Sequence, residues 1–159
     1  MTTIITRIRS AILVFLTHQL ALPLLKIIRN EERFPFSMDE LEDLPAGTLG
    51  NDLSVFLQSR KLELLPFYAR HDMKHILLDY DTTDEGEGCL QCFMLGNGHL
   101  SFPVVATVVF CYISMPGHWK IFRDAYRRGR NAAPIAGWNW FAIVTEHTEE
   151  LKKRLRKEW

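Results

Sequence analysis

Two histidines four residues apart are the first sign of chemistry in this chain. His71 and His75 lie in the segment RHDMKH, and Asp72 directly follows the first of them. On an α-helix, residues at i and i+4 share a face, so the two imidazole rings stack one above the other. Asp72 stands three residues before His75 and also reaches toward its ring. The segment could therefore bring two nitrogens and one carboxylate oxygen to a single point.

A fourth donor follows on the far side of a polar turn. Eleven residues separate His75 from Glu87, beyond the acidic stretch 79–84, and a second helix could return that carboxylate to the same point. Imidazole and carboxylate together suit zinc, iron or manganese better than magnesium or calcium. We expect a divalent-metal site, with zinc first and iron or manganese next, and with Asp79, at i+4 from His75, orienting that imidazole. The alternative is an exposed histidine pair beside a Glu87 that only stabilises its own helix dipole.

The same residues also fit a metal-dependent hydrolase. His71-Asp72-x-x-His75 differs from the His-Glu-x-x-His of zinc proteases by one methylene in the acid, which there acts as the general base. Asp72 would then activate a water molecule, and Glu87 would be the third ligand. The shorter side chain disfavours that geometry, so we place this interpretation last.

Composition narrows the class of protein. Nineteen basic and nineteen acidic side chains give zero formal charge, which argues against a partner nucleic acid. Three cysteines are too few for a disulfide framework and fit a reducing compartment. Cys89 and Cys92 form a Cys-x-x-Cys with apolar flanks, and we expect buried structural thiols rather than a redox or metal pair. With 159 residues, the chain predicts one domain, 1–159.

The elements that position these residues are all predicted to be helices. Apolar spacing, a capping box at Ser37–Glu40 and Pro or Gly punctuation predict an all-α domain of about seven helices. Residues 102–114 are rich in Val and Phe, as a buried strand would be, but their length and helical neighbours favour a buried helix. The predicted helical segments are 3–29, 37–43, 51–60, 66–78, 85–95, 102–114, 118–130 and 148–157.

Two apolar stretches of the chain could contact lipid. Residues 11–28 and 100–115 contain polar side chains and fall short of the roughly 20 apolar residues of a spanning helix. The long N-terminal helix, 1–29, is basic, lacks acidic residues and shows no small-residue cleavage site. We expect it to be retained and to touch a membrane surface or a second copy of the chain in a homodimer. The two stretches could line a groove for a polyprenyl tail; the alternative is that they are core helices.

A basic stripe lies on the helix predicted at 118–130. Arg123, Arg127 and Arg130 follow the spacing i, i+4, i+7 and so share one face. They could bind lipid phosphates or an anionic head group. The alternative is an ordinary solvated face.

Three separated motifs in a fixed order carry a family resemblance. They are LPAGTLG at 44–50 followed by Phe56, the His71-Asp72-x-x-His75 signature with Glu87, and RRGRNAAP at 127–134 followed by Trp138 or Trp140 and by Leu151 to Leu155. Together they resemble the coenzyme Q biosynthesis protein 4 family over residues 44–159. The resemblance implies an all-α fold and a metal site at His71, Asp72, His75 and Glu87.

The same resemblance implies a function. It points to ubiquinone biosynthesis, on polyprenylated quinone precursors at a membrane surface. The expected location is peripheral, on the cytoplasmic face of the inner membrane or on the mitochondrial inner membrane of a eukaryote. The implied activity is oxidative decarboxylation of the aromatic ring, beside a role in organising the other quinone-biosynthesis enzymes. An isoprenoid-binding or scaffold protein without catalysis is the alternative, so whether the protein is an enzyme stays open.

The chain departs from the family pattern at two positions after Glu87. The family commonly has Lys and Glu in the following helix, where this chain has Gln91 and Met94. The span between Gly50 and His71 is also shorter than usual. We expect contacts to the substrate to differ at Gln91 and Met94.

Overall fold

The described part of the chain, residues 7–8, 11–12 and 33–156 of a computed structural model, is built from helices. The all-α prediction is confirmed. Two short 3₁₀ helices, Pro116–His118 and Ala142–Thr145, join longer elements. The α-helices are α1 (Met38–Glu42), α2 (Leu49–Arg60), α3 (Ala69–Leu78), α4 (Asp84–Gly96), α5 (Phe102–Ser114), α6 (Trp119–Asn131) and α7 (Thr148–Leu155).

These helices belong to two compact units. The histidine unit comprises residues 33–80 and 133–156, and the cysteine unit comprises residues 81–132. In the histidine unit, α2 packs against α1 and α3, and α3 also packs against α7. In the cysteine unit, α4 packs against both α5 and α6.

The LPAGTLG segment connects α1 to α2, and turn geometry explains its sequence. Thr48 caps the first turn of α2 with its side chain, and Gly47 has a positive φ of 82°, which glycine adopts without steric cost. A Cβ at Gly50 would collide with the side chains of Leu44 and Val144. The motif therefore fixes a tight connection inside the histidine unit.

Several local predictions can be compared with the structure. The capping box at α1 is confirmed: the Ser37 amide donates to Glu40 Oε2 at 2.7 Å, and the Glu40 amide donates to Ser37 Oγ at 3.3 Å. Residues 102–114 form a helix, which excludes the strand alternative. The prediction that Pro66 opens the site helix is wrong. Residues 66–68 form a turn, whose Tyr68 amide donates to the Leu65 carbonyl, and α3 begins at Ala69.

The predicted N-terminal helix lies mostly outside the described residues, as does its Pro23. Residues 7, 8, 11 and 12 are helical, and their side chains are exposed. Among the described residues, no single helix is long and apolar enough to cross a membrane. The segments Phe102–Ser114 and Pro116–Asn131 reach that length and composition only when counted together, and they are bent by 105°.

Candidate metal centre

Helix α3 carries the histidine pair at the edge of its buried face. Ala69, Met73 and Leu77 recur at i, i+4 and i+8 and are almost fully buried, which anchors the helix. His75 is also buried, with 2% of its surface exposed, whereas His71 is half-buried. The pair therefore has one inner ring and one outer ring.

The two rings meet through their Nε2 atoms, as the i, i+4 spacing predicts. His71 Nε2 and His75 Nε2 are 3.0 Å apart, and His75 Nδ1 lies 3.0 Å from the main-chain oxygen of Tyr80. A carbonyl oxygen only accepts, so His75 Nδ1 must carry the proton. When that ring is neutral, its Nε2 has a lone pair that can accept the Nε2–H of His71.

This arrangement fits a metal ion. Two nitrogen ligands bound to a tetrahedral ion at about 2.0–2.1 Å are about 3.3 Å apart, only a few tenths of an ångström more than the distance between the two rings. Metal-bound histidines commonly donate their other N–H to a carbonyl or carboxylate, as His75 does to Tyr80. The histidine pair thus has the spacing and the ring orientation of two metal ligands.

Aromatic side chains set the planes of both rings. Phe56 of α2 stacks on His75, with ring centroids 6.1 Å apart and planes 21° from parallel. Tyr68 lies against His71, at 4.5 Å between centroids. The guanidinium of Arg60 covers the Phe56 ring at 4.0 Å. Sequence reasoning used Phe56 as a match to the family motif, and missed that it stacks on a candidate ligand.

The two aspartates of α3 differ in place and partner. Asp72 is buried, and one residue along a helix it points about 100° away from His71; its part as a ligand stays a prediction. Asp79 ends α3 in the left-handed conformation, with φ 55°, and its Oδ1 lies 2.5 Å from Lys152 Nζ. The prediction that Asp79 orients the His75 imidazole is corrected, because the Tyr80 carbonyl holds Nδ1. A main-chain partner leaves no signal in the sequence.

Glu87 lies in the first turn of α4, in the cysteine unit, and is half-buried. The side-chain amide of Gln91 donates to Glu87 Oε1 at 2.9 Å, which orients the carboxylate. Met94 is buried in the core. The two departures from the family pattern therefore differ: Gln91 touches a candidate ligand, and Met94 is a packing residue.

The three cysteines are free and buried, which confirms the predicted burial of the thiols. Burial raises the pKa of Cys89 to about 11 and the pKa of Cys92 to about 12, because a thiolate is poorly solvated there. Such thiols are neutral near pH 7 and are poor nucleophiles.

The basic stripe lies on the exposed side of α6, whose buried side is formed by Phe122, Ala125 and Gly129. Arg127 makes a long ion pair with Asp124, at 3.9 Å, as a solvated surface residue does. Binding of lipid phosphates here stays a prediction. The exposed members of the stripe are Arg123, Arg127 and Arg130.

Comparison with known proteins adds one finding. No protein-family model and no curated protein matches the sequence. A crystal structure does match: a Nostoc punctiforme protein, named provisionally as a ubiquinone biosynthesis protein, superposes with a TM-score of 0.66. It is 24% identical, and the match covers 86% of this chain and 79% of that chain. At this identity, the likeness shows a shared fold.

Proposed function

We propose that His71, His75 and Glu87 bind one divalent metal ion, zinc first and iron or manganese as alternatives. The two imidazoles and one carboxylate are a donor set that could hold such an ion. The observation that carries the proposal is the facing pair of Nε2 atoms, with His75 already fixed in the tautomer that a ligand needs. The sequence spacing and the Gln91 contact support Glu87 as the third ligand.

We further propose that this site serves the biosynthesis of ubiquinone or a related prenylated quinone. The ordered family motifs and the fold shared with the Nostoc protein support it. The bound ion would supply Lewis-acid polarisation of an oxygen on a prenylated aromatic precursor. His75 would present its lone pair, and Gln91 would hold the Glu87 carboxylate in place. Oxidative decarboxylation and organisation of partner enzymes both remain within this proposal.

Elemental analysis of the purified protein tests the metal site. The wild type is expected to carry close to one equivalent of metal, and the double variant His71→Ala/His75→Ala to carry essentially none. Glu87→Gln removes one charged ligand and is expected to lower the affinity by at least about 10- to 100-fold, the effect of losing a partner that only orients a ligand. His147→Ala, at an exposed histidine just before α7, is the matched control. A wild type that takes up no divalent ion contradicts the proposal.

Catalysis and scaffolding can be separated in a host that lacks the corresponding quinone-biosynthesis step. If the protein is an enzyme, the double histidine variant loses complementation while remaining folded by circular dichroism. If it only binds lipid or partners, that variant still complements. Mass spectrometry of the lipid extracted from the pure protein would then identify an isoprenoid ligand.

We propose that the protein also binds a membrane surface, through the exposed apolar side of α5. One side of α5 is buried, through Val104, Val108 and Cys111, and the opposite side is apolar but exposed. Trp119, which contacts Tyr112 of α5, is also exposed and is a residue type enriched at membrane interfaces. An exposed apolar stripe of this kind is typical of a lipid or protein contact. Its members are Phe102, Val105, Val109 and Ile113.

Vesicle co-sedimentation tests the outer face of α5. The double variant Val109→Glu/Ile113→Glu is expected to reduce binding by about tenfold or more, because two charges would have to enter the interface. Val55→Glu, at an exposed apolar residue of α2, is the control. Adding anionic lipid should strengthen binding if the arginine stripe takes part, by about 1 kcal/mol for each arginine near the surface. Equal sedimentation of the wild type and the double variant would exclude this face.

A further inference from the structure

The turn that ends α3 is held by an ion pair from another helix. Asp79 adopts the left-handed conformation, which is disfavoured for a residue other than glycine. Its carboxylate contacts the Lys152 ammonium of α7 at 2.5 Å, and the Lys152 side chain is only 17% exposed. The Asp79 side chain is 60% exposed, so the position of the pair is fixed from the side of the buried lysine.

The conformation of this turn decides where the Tyr80 carbonyl lies. With Asp79 left-handed, the chain doubles back, and the Tyr80 amide donates to the His75 carbonyl at 3.3 Å. The Tyr80 oxygen then lies 3.0 Å from His75 Nδ1. The tautomer of a candidate metal ligand therefore depends on a turn that follows it by four residues.

We propose that Lys152 is a positioning residue for His75, acting through Asp79 and the Tyr80 carbonyl. This inference rests on the proposed metal site and names the device that prepares one of its ligands. When the ion pair is lost, the left-handed turn relaxes and the carbonyl leaves Nδ1. His75 then populates both neutral tautomers, and only one of them has a lone pair on the Nε2 that faces His71. Lys152 touches neither the metal nor a substrate.

The tautomer can be measured without any metal. Long-range proton–nitrogen NMR spectra of histidine-labelled, metal-free protein distinguish Nδ1–H from Nε2–H for each ring. His75 of the wild type is expected to be almost entirely in the Nδ1–H form, and His75 of Lys152→Met to be a mixture of both. The matched control is Lys153→Met, which removes the neighbouring lysine and its own ion pair with Glu150. An unchanged Nδ1–H tautomer in folded Lys152→Met overturns the proposal.

Substitutions at Asp79 separate the turn from the charge. Asp79→Ala removes the carboxylate and disfavours the left-handed conformation, so it should shift the His75 tautomer as Lys152→Met does. Asp79→Gly also removes the carboxylate but adopts that conformation freely, so it should keep the wild-type tautomer. If glycine and alanine behave alike, the turn is not the link and the proposal fails. The glycine variant also provides a result should Lys152→Met not fold.

Cobalt binding gives the second readout, because Co²⁺ has visible absorption bands that report its ligands. Lys152→Met is expected to weaken Co²⁺ binding by about tenfold, the low end of the effect of losing a partner that orients a ligand. The double variant Lys152→Met/Asp79→Gly should regain most of that loss. A wild type that binds no Co²⁺ would count against the metal site itself, whereas the NMR comparison would still decide whether Lys152 fixes the tautomer.

Discussion

The two units hold their helices together by different means. In the cysteine unit, α4 and α6 approach at Gly96 and Gly129, where a Cβ would collide with the main-chain oxygens of Tyr126 and Phe93. In the histidine unit, main-chain bonds join the start of α2 to the segment before α7, and side chains add further contacts: Thr148 donates to Asp52, and Lys152 pairs with Asp79. Close backbone approach fixes the crossing of α4 and α6, whereas polar side-chain contacts between elements can set the position of a turn or a ring.

The largest loss of stability is expected at Gly129, where the backbones of α4 and α6 are in contact. Gly129→Ala should destabilise the protein by about 3 kcal/mol, because the added methyl overlaps a carbonyl oxygen and forces α6 away from α4. Urea denaturation measures the change. Gly137→Ala is the control, since nothing lies within 4 Å of a Cβ at that position. A loss below 1 kcal/mol for Gly129→Ala would show that the two helices can separate easily.

A smaller loss is expected for the side-chain contact at the start of α7. The Thr148 hydroxyl is buried and lies 2.5 Å from Asp52 Oδ2. Thr148→Val keeps the shape and removes the donor, which should cost about 2 kcal/mol, the scale of a hydrogen bond to a charged group. Thr145→Val, at an exposed threonine, serves as the control in the same denaturation series. No difference between the two variants would mean that this contact adds nothing to the histidine unit.

The buried thiols predict a loss of stability at alkaline pH. The pKa of Cys92 rises from 9.0 to about 12 on folding, because burial disfavours the thiolate. Its contribution is therefore complete below pH 9 and declines as the pH rises toward 12, by about 1.4 kcal/mol for each pH unit. Between pH 8 and pH 10, the free energy of unfolding should fall by about 1 kcal/mol more in the wild type than in Cys92→Ala. Parallel curves for the two proteins would contradict this.

The smallest effect is expected at the edge of the histidine unit. Ser37→Ala removes the capping box of α1, and a typical N-cap substitution costs about 1 kcal/mol. The Ser37 amide also lowers the pKa of Glu40, so this contact is present at neutral pH and is lost as the pH falls through that lowered value. Ser37→Ala keeps the main-chain amide but removes the hydroxyl that donates to Glu40 Oε2, so it should cost somewhat less at pH 3 than at pH 7. The loss of the N-cap bond to the Glu40 amide persists at both pH values, and urea denaturation measures the two losses. An equal loss at both values would assign the effect to something other than the carboxylate contact.

Local signals predicted much of this fold. The capping residues, Pro–Gly turns and apolar spacing located all seven described α-helices to within a few residues, and the i, i+4 rule placed His71 over His75. The Pro66 error arose because a proline fits equally well in the first turn of a helix and in a turn just before it. The sequence favours Pro66 at the first helical position. In the structure, the amides of Tyr68 and Ala69 donate to the Leu65 carbonyl, and a turn precedes α3.

What the sequence did not predict comes from contacts between distant residues and from the main chain. Phe56 reaches His75 from another helix, and Lys152 reaches Asp79 from the far end of the chain. The Tyr80 contact uses a main-chain carbonyl, which every residue has, so no residue type in the sequence could predict it. Asp79 was the reasonable partner for His75 by spacing, but its left-handed backbone directs its side chain to Lys152 instead.

The burial of the three thiols also decides how a metal measurement can be read. Zinc that copurifies with a protein is often bound by cysteine sulfur, and a Cys-x-x-Cys motif is a common place for it to bind. Here Cys89 and Cys92 are buried, and burial raises their pKa values to about 11 and about 12, which disfavours the thiolate that zinc binding requires. X-ray absorption of a zinc-loaded sample should therefore show a single shell of light atoms at about 2.0–2.1 Å and no sulfur shell at about 2.3 Å. A shell of light atoms without sulfur would therefore assign the bound zinc to ligands other than the cysteines.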